Sequence, residues 1–394
     1  MQATLRKIAY STVLRPKHVR QSSQTLYETV LGCRALFEAT NEVVWRDRAS
    51  MAAKLIIANQ LPDGGFDIGY KFDFGKQRGL KQATAPETKS LIALSEVYSA
   101  EPDSAISDGV RSAREWILKN TVWLDDGAAY LPYCPGVSGD LMVYNGVSFG
   151  AGALAGAIKA LGHFPGVAET LRGYVKFLAK QMVIDGATAG GGWFYSAVQA
   201  PPSTRRIDYY HQAQQIDCHL YANSVLYDPT QEKMIRDATA HLVAVADRHT
   251  VLPYYSTETG PDSKAAIWGL ASVVPALLRA ASQLRIDGAR DVALRQLEWI
   301  IEKSWTGEHF YEVVHLNGDR GHEGYAFYNP RSDAWVFEAL AVAYVATGKA
   351  HYLNFATQVY DRLAAVDFSG YETHAMTMGK RAVYWLNRRI SPRK

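Results

Sequence analysis

The densest run of side chains able to do chemistry is Arg205-Arg206-Ile207-Asp208-Tyr209-Tyr210-His211-Gln212-Ala213-Gln214-Gln215. It sets an imidazole, two phenols, two guanidiniums and a carboxylate at the start of one helical segment, groups that move protons or neutralise charge. The helix they open is of the buried type, where such groups are costly to desolvate unless a polar ligand or mutual pairing satisfies them. The run implies either a polar cavity or a hydrogen-bond network that closes the structure. A second cluster, Gly318-Asp319-Arg320-Gly321-His322-Glu323-Gly324-Tyr325-Ala326-Phe327-Tyr328-Asn329-Pro330-Arg331, reads as a loop able to close over a ligand, with His322, Tyr328 and Arg331 as binding groups. A third is aromatic. Trp193-Phe194-Tyr195, with Trp268 and Trp335 in later helices, forms either the stacking rim of a sugar site or part of the core.

Asp208, Asp262 and Asn329 stand where helices are expected to begin, so N-capping explains them as well as catalysis does, and Asn145 and Asp333 open two further helices. Other chemistries have less to stand on. Cys218-His219 offers two soft ligands, but neighbours on one helix point apart, and no metal site is expected. The chain lacks a Gly-x-x-x-x-Gly-Lys phosphate loop, which argues against nucleotide hydrolysis. No cofactor is expected.

Side chains so far apart in the chain can meet only on a frame that repeats. Six pairs of helical segments recur at a spacing of about sixty residues. The first members, at 23–40, 86–99, 145–161, 209–227, 263–283 and 332–347, are rich in small and apolar residues. The second members, starting near 45, 108, 167, 232, 289 and 351, are amphipathic. Turns within a pair are short, whereas the connections between pairs, near 61–85, 121–144, 184–208, 249–262 and 306–331, exceed ordinary loop lengths. The simplest closure is an all-α (α/α)6 toroid, with small-residue helices inside and amphipathic ones outside. Residues 23–394 then form one domain behind an arm at 1–22. Every long connection must emerge at the same end, with short strands or turns at the glycine- and aromatic-rich stretches 63–66, 127–133, 190–195, 251–256 and 309–314. A functional site is expected at that end.

The 394 residues are 48% hydrophobic and 21% charged, which suits one large core or two ordinary ones and excludes a disordered polymer. With 42 Lys and Arg against 39 Asp and Glu the net charge is +3, too even to argue for a nucleic-acid partner. The basic run Arg6, Lys7, Arg15, Lys17, His18 and Arg20 could touch an anionic surface or simply be a solvated arm. No stretch approaches the roughly 20 apolar residues of a membrane span. Cys33, Cys134 and Cys218 make no disulfide framework, and a cytoplasmic protein is expected.

The ring of hairpins, Gly191-Gly192-Trp193-Phe194-Tyr195-Ser196, Asp208-Tyr209-Tyr210-His211 and Arg331-Ser332-Asp333-Ala334-Trp335-Val336-Phe337-Glu338-Ala339-Leu340 resemble toroidal proteins of bacterial exopolysaccharide gene clusters. More distantly the pattern is similar to toroid polysaccharide lyases, unsaturated-uronyl hydrolases and the helical domain of glucuronyl C5-epimerases. Asn59-Gln60-Leu61-Pro62-Asp63-Gly64-Gly65-Phe66 also looks like the repeat of prenyltransferase and squalene-cyclase toroids, but no Asp-x-Asp-Asp motif accompanies it. The first resemblance implies an enzyme of acidic, uronate-containing oligo- or polysaccharides that abstracts the proton α to the carboxylate. In that reading Arg206, Asn145 or Arg331 neutralises the carboxylate, His211 is the base, and Tyr210 or Tyr255 donates or shuttles the proton. Trp193, Tyr195, His322, Tyr328 and Asp333 would complete the substrate site. The alternatives are a glycoside hydrolase using Asp208 and Asp333, a terpenoid cyclase-like toroid, and a non-catalytic glycan-binding scaffold.

Overall fold

Small residues line the first helix of each pair because that helix is packed on every side. In the computed structural model, which describes residues 22–67, 82–136, 142–184, 190–196, 206–319 and 330–365, twelve α-helices form six consecutive hairpins. The inner helices are α1 (Ser23–Thr40), α3 (Lys89–Ala100, preceded by a 3-10 turn at Ala85–Thr88), α5 (Tyr144–Leu161), α7 (Tyr209–Val225), α9 (Ile267–Leu284) and α11 (Pro330–Thr347). The outer helices are α2 (Val43–Ala58), α4 (Ser104–Asn120), α6 (Val167–Gln181), α8 (Pro229–His249), α10 (Ala289–Ser304) and α12 (Ala350–Ala364). Each inner helix packs on the next, and α11 packs back on α1, so the ring closes. This is the (α/α)6 toroid expected from the repeat. The basic arm at 1–21, the segment 320–329 carrying His322 and Tyr328, and residues 366–394 lie outside the described residues.

Close packing of the inner wall depends on residues with little or no side chain. A Cβ added at Gly269 would lie 2.2 Å from Cδ2 of Tyr210, so α9 meets α7 at a point that no other residue fits. Gly269→Ala is expected to cost about 1–3 kcal/mol through overpacking, read as a lower urea midpoint. The outer helices bury one face only, as α6 shows with Leu171, Tyr174, Val175 and Leu178 inward. Helix α9 is long and apolar enough to cross a membrane, unlike the sequence expectation, but most of it is buried as an inner wall of the ring.

Turns within pairs run two to five residues, and the long connections carry the nine short strands found among the described residues. These strands lace neighbouring connections together around one end, which we call the mouth. Strands β1 (Val122–Trp123) and β2 (Ala129–Tyr130) pair, as do β3 (Val183–Ile184) and β4 (Gly191–Gly192). Bridges join Val143 to Ser196 and Phe194 to Ile207. Strand β5 (Ile207–Asp208) pairs with β6 (Tyr255–Thr257), which pairs with β7 (Gly260–Pro261). Strand β8 (Lys264–Ala266) pairs with β9 (Val313–His315). One expectation changes here. Helix α9 starts at Ile267 rather than 263, because residues 264–266 are held in β8, and Asp262 caps no helix but donates its N–H to the Tyr255 carbonyl.

Candidate active site

At the start of α7, Asp208 does two jobs with its two oxygens. Oδ1 accepts the N–H of His211 at 3.2 Å, the N-cap bond, while Oδ2 lies 2.7 Å from Nδ1 of the same histidine. This carboxylate is observed in the N-cap role weighed for it. It is fully buried, whereas the His211 side chain keeps 14% of its surface exposed. The Nδ1–Oδ2 approach is at ion-pair distance without the angle of a hydrogen bond, and the other ring nitrogen, Nε2, points away from that carboxylate oxygen. A buried carboxylate so placed fixes the orientation of the imidazole ring.

Aromatic rings flank His211 on both sides, and each carries a guanidinium. Tyr195 lies 5.0 Å from the imidazole and Trp268 5.8 Å, centroid to centroid. Arg206 sits 4.4 Å over the Tyr195 ring and 5.3 Å over Tyr255, and its Nη2 is 4.0 Å from Asp208. Arg331 sits 3.8 Å over Trp268. Stacking on an aromatic face fixes the plane of a guanidinium. Arg206, Asp208, His211, Tyr195, Tyr255, Trp268 and Arg331, drawn from two connections and the first turns of three inner helices, are thus gathered at one place. Asn145, in the first turn of α5, is buried with Oδ1 unpartnered.

Three expected site residues serve the frame instead. Tyr210 has no exposed surface, stacks on Tyr254 at 5.2 Å and donates its hydroxyl to the Leu252 carbonyl at 3.0 Å. Burial pushes its phenol well above the usual value, with Asp208 adding to the rise, so it is no proton shuttle. Trp193 is 2% exposed and donates its indole N–H to Leu178, leaving no face for a sugar. Asp333 is buried, and Oδ1 accepts the Phe310 N–H at 3.0 Å, pinning the connection before α11. The hydrolase pairing of Asp208 with Asp333 loses its second member to that anchoring. For Trp193→Phe we expect a fall in stability of about 0.5–1.5 kcal/mol from the lost hydrogen bond, with ligand binding at the mouth unchanged in titration.

Below the mouth the ring centre holds a cluster that the sequence reading missed. Lys89 Nζ lies 2.7 Å from Glu28 and 3.7 Å from Glu338, and 4.4 Å over the Trp335 ring, which in turn is 6.3 Å from Trp268. Arg279 bonds Asp217 at 2.6 Å and Glu338 at 2.9 Å, and Gln24 bonds Glu87 at 2.9 Å. Burial pulls the Lys89 amine down, but Glu28 and Glu338 outweigh it and leave the amine above its usual value. Burial also raises Glu28, which stays well above the carboxylate range, while Lys89 and Arg279 overcome burial at Glu338 and hold it at about 2. Two carboxyls sharing one ammonium are driven apart in this way, one protonated and one ionised. A charged residue inside an apolar helix, as in Val336-Phe337-Glu338-Ala339-Leu340, was the signal available for them.

His219, on α7, is buried and its pKa is lowered to about 3 by that burial. Gln231 Nε2 lies 2.8 Å from its Nδ1 and Ser148 Oγ 3.1 Å from its Nε2, so both nitrogens are engaged within the protein. Among the described residues no group of three His, Cys, Asp or Glu could hold a metal ion. A neutral buried histidine has a definite consequence for pH. Its folded value lies below the ordinary 6.5, so the unfolded chain binds the extra proton, and the stability is complete above pH ~6.5 and lost as pH falls towards 3. Between pH 7 and 5 the loss is expected to be about 2 kcal/mol, and His219→Gln should flatten that slope in urea titrations.

Compared by sequence, the chain matches no family model and no curated protein. Compared by structure, it is similar to a sugar epimerase from a ruminal bacterium, with 16% identity, TM-score 0.62, and coverage of 89% of this chain and 100% of that one. The likeness is one of fold. A possible member of the GH105 family from Salmonella enterica gives TM-score 0.61 at 12% identity, covering 83% of each chain. The polysaccharide lyase BACCELL_00875 gives 0.57 at 13%, covering 89% of this chain and 96% of that one. The toroidal resemblance read from the repeat and its short motifs is met at this level.

Proposed function

We propose that the protein is a carbohydrate-active enzyme that abstracts the proton α to the carboxylate of a uronate residue, in a lyase or epimerase reaction. The observation that carries this reading is the Asp208–His211 pair placed between two ring-stacked guanidiniums. Nε2 of His211 takes the C5 proton, and Asp208 stabilises the imidazolium. The electron pair of the C–H bond moves into the carboxylate, where Arg206 and Arg331 hold the resulting enediolate. In elimination the C4–O bond then breaks and the Tyr255 hydroxyl protonates the leaving oxygen; in epimerisation the Tyr255 hydroxyl instead gives its proton to C5 on the opposite face, and in either case solvent reprotonates the phenolate and takes the proton from His211. The structural neighbours, titled as a sugar epimerase and a polysaccharide lyase among others, support a sugar substrate. A polar, doubly cationic mouth suits an acidic glycan better than a terpenoid.

Incubation with a panel of uronate-containing and neutral oligosaccharides in deuterated water tests the proposal. Deuterium at C5, or ultraviolet absorbance from 4,5-unsaturated ends, is the expected result with uronates alone. Binding of these glycans without exchange or elimination would identify a scaffold, and turnover confined to neutral glycans a hydrolase; either removes this reading.

A further inference from the structure

Three inner helices each bury, near their mouth ends, a polar side chain with one atom that has no hydrogen-bond partner among the described residues. These atoms are Gln24 Oε1 on α1, Asn145 Oδ1 on α5 and Trp335 Nε1 on α11, in residues that keep 6%, 4% and 2% of their surface exposed. An unpaired polar atom in the interior is costly, so most such atoms are bonded to something. The three side chains border one stretch of chain, residues 85–89. Gln24 donates its Nε2 proton to Glu87 at 2.9 Å, and Lys89 Nζ lies 4.4 Å over the Trp335 ring. Gly146, next to Asn145, is packed so closely on Ala85 that an added Cβ would lie 3.0 Å from the alanine Cβ. Trp335 lies 6.3 Å from Trp268, which lies 5.8 Å from His211, so this wall of the ring adjoins the proposed base.

One donor and two acceptors suit sugar hydroxyls, each of which both donates and accepts. Charge argues against a second uronate on this wall. Lys89 bonds Glu28 and faces Glu338, while Arg279 bonds Asp217 and Glu338. Glu87, which accepts from Gln24, adds another carboxyl. Two cations here meet four carboxyls, so a carboxylate brought against them would be repelled rather than held. The guanidiniums of Arg206 and Arg331 stand instead on the His211 side, each stacked on a ring beside that histidine.

Resting on the uronate reading of the mouth, we propose that Gln24, Asn145 and Trp335 form a second sugar subsite for an uncharged, hydroxylated ring, so that the substrate joins a uronate to a neutral hexose. Calorimetric titration of the full chain tests it, with methyl glucuronide, diglucuronate and two glucose–glucuronate disaccharides that carry the glucose at O1 or at O4 of the uronate. One of the mixed disaccharides binds at least about tenfold more tightly than diglucuronate and methyl glucuronide, the gain of roughly one hydrogen bond. Trp335→Phe removes the indole N–H and lowers that preference roughly tenfold. Gln24→Met, which removes an acceptor at nearly constant volume, acts in the same direction. Diglucuronate binding as tightly as the mixed disaccharides would overturn the proposal. So would a mixed disaccharide that gains nothing over methyl glucuronide, the result if the three atoms serve only internal water, or a preference that both variants leave unchanged. Binding is read here without turnover. C5 exchange with no preference for a mixed disaccharide removes the subsite alone, whereas the preference without exchange or elimination removes only the proposed reaction.

Discussion

His211→Asn is expected to lower turnover of a uronate glycan by about 10²–10⁴-fold, the range that a general base contributes, with thermal stability changed little. The side chain is partly exposed, so its loss opens no large core cavity, and asparagine keeps a polar group beside Asp208. Nε2 is the atom that matters, and asparagine cannot take a proton there at neutral pH. Asp208→Asn should act in the same direction, because an amide neither stabilises the imidazolium nor enforces one tautomer. It should also lower stability, since the same carboxylate caps α7. C5 proton exchange measured in deuterated water separates loss of the base from loss of binding. Exchange at the wild-type rate in His211→Asn would end the proposed mechanism.

The largest effect on stability is expected from Lys89→Met, at about 3–5 kcal/mol. Lys89 is 3% exposed and stands between Glu28 and Glu338, each fully buried. Methionine fills much of the space but leaves two carboxyls facing one another, with only Arg279 left to offset Glu338. Adding Glu28→Leu should restore a substantial part of the loss, because the orphaned group goes with it. Guanidinium or urea unfolding of the single and double variants measures both quantities. Salt up to about 1 M should change the difference little, since screening acts weakly on buried pairs. A cost below about 1 kcal/mol would place the cluster with ordinary surface pairs.

Helix periodicity made the ring legible because the inner and outer helices face different surroundings, and each surrounding selects its own residue pattern. The predicted starts at 23, 145, 167, 209 and 289 fall within one residue of those observed. Start 263 failed where three residues, Lys264–Ala266, could serve either a helix or a strand and their partner at 313–315 lies far along the chain. Within the candidate site, the Arg206, Asp208 and His211 cluster was visible because its members are adjacent in sequence. The charges at Glu28, Lys89, Asp217, Arg279 and Glu338 were not, since they stand on different inner helices far apart in the chain and each acquires meaning only beside the others.

Local sequence also could not tell Tyr210 from Tyr255 or Trp193 from Tyr195, which are the same or similar residue types, each beside further aromatic residues in the chain. Burial and a carbonyl partner turn Tyr210 and Trp193 into structural groups, while Tyr195 and Tyr255 stay beside Arg206. The architecture, the end at which the long connections gather, and the membership of one polar cluster were determined by the chain's own pattern, because periodicity, turn length and adjacency in sequence are local properties. Which side chains pair, which protons they hold and which rings remain exposed were decided only when the ring closed. Those properties depend on distance and desolvation, and both are set by residues from different hairpins meeting in the interior.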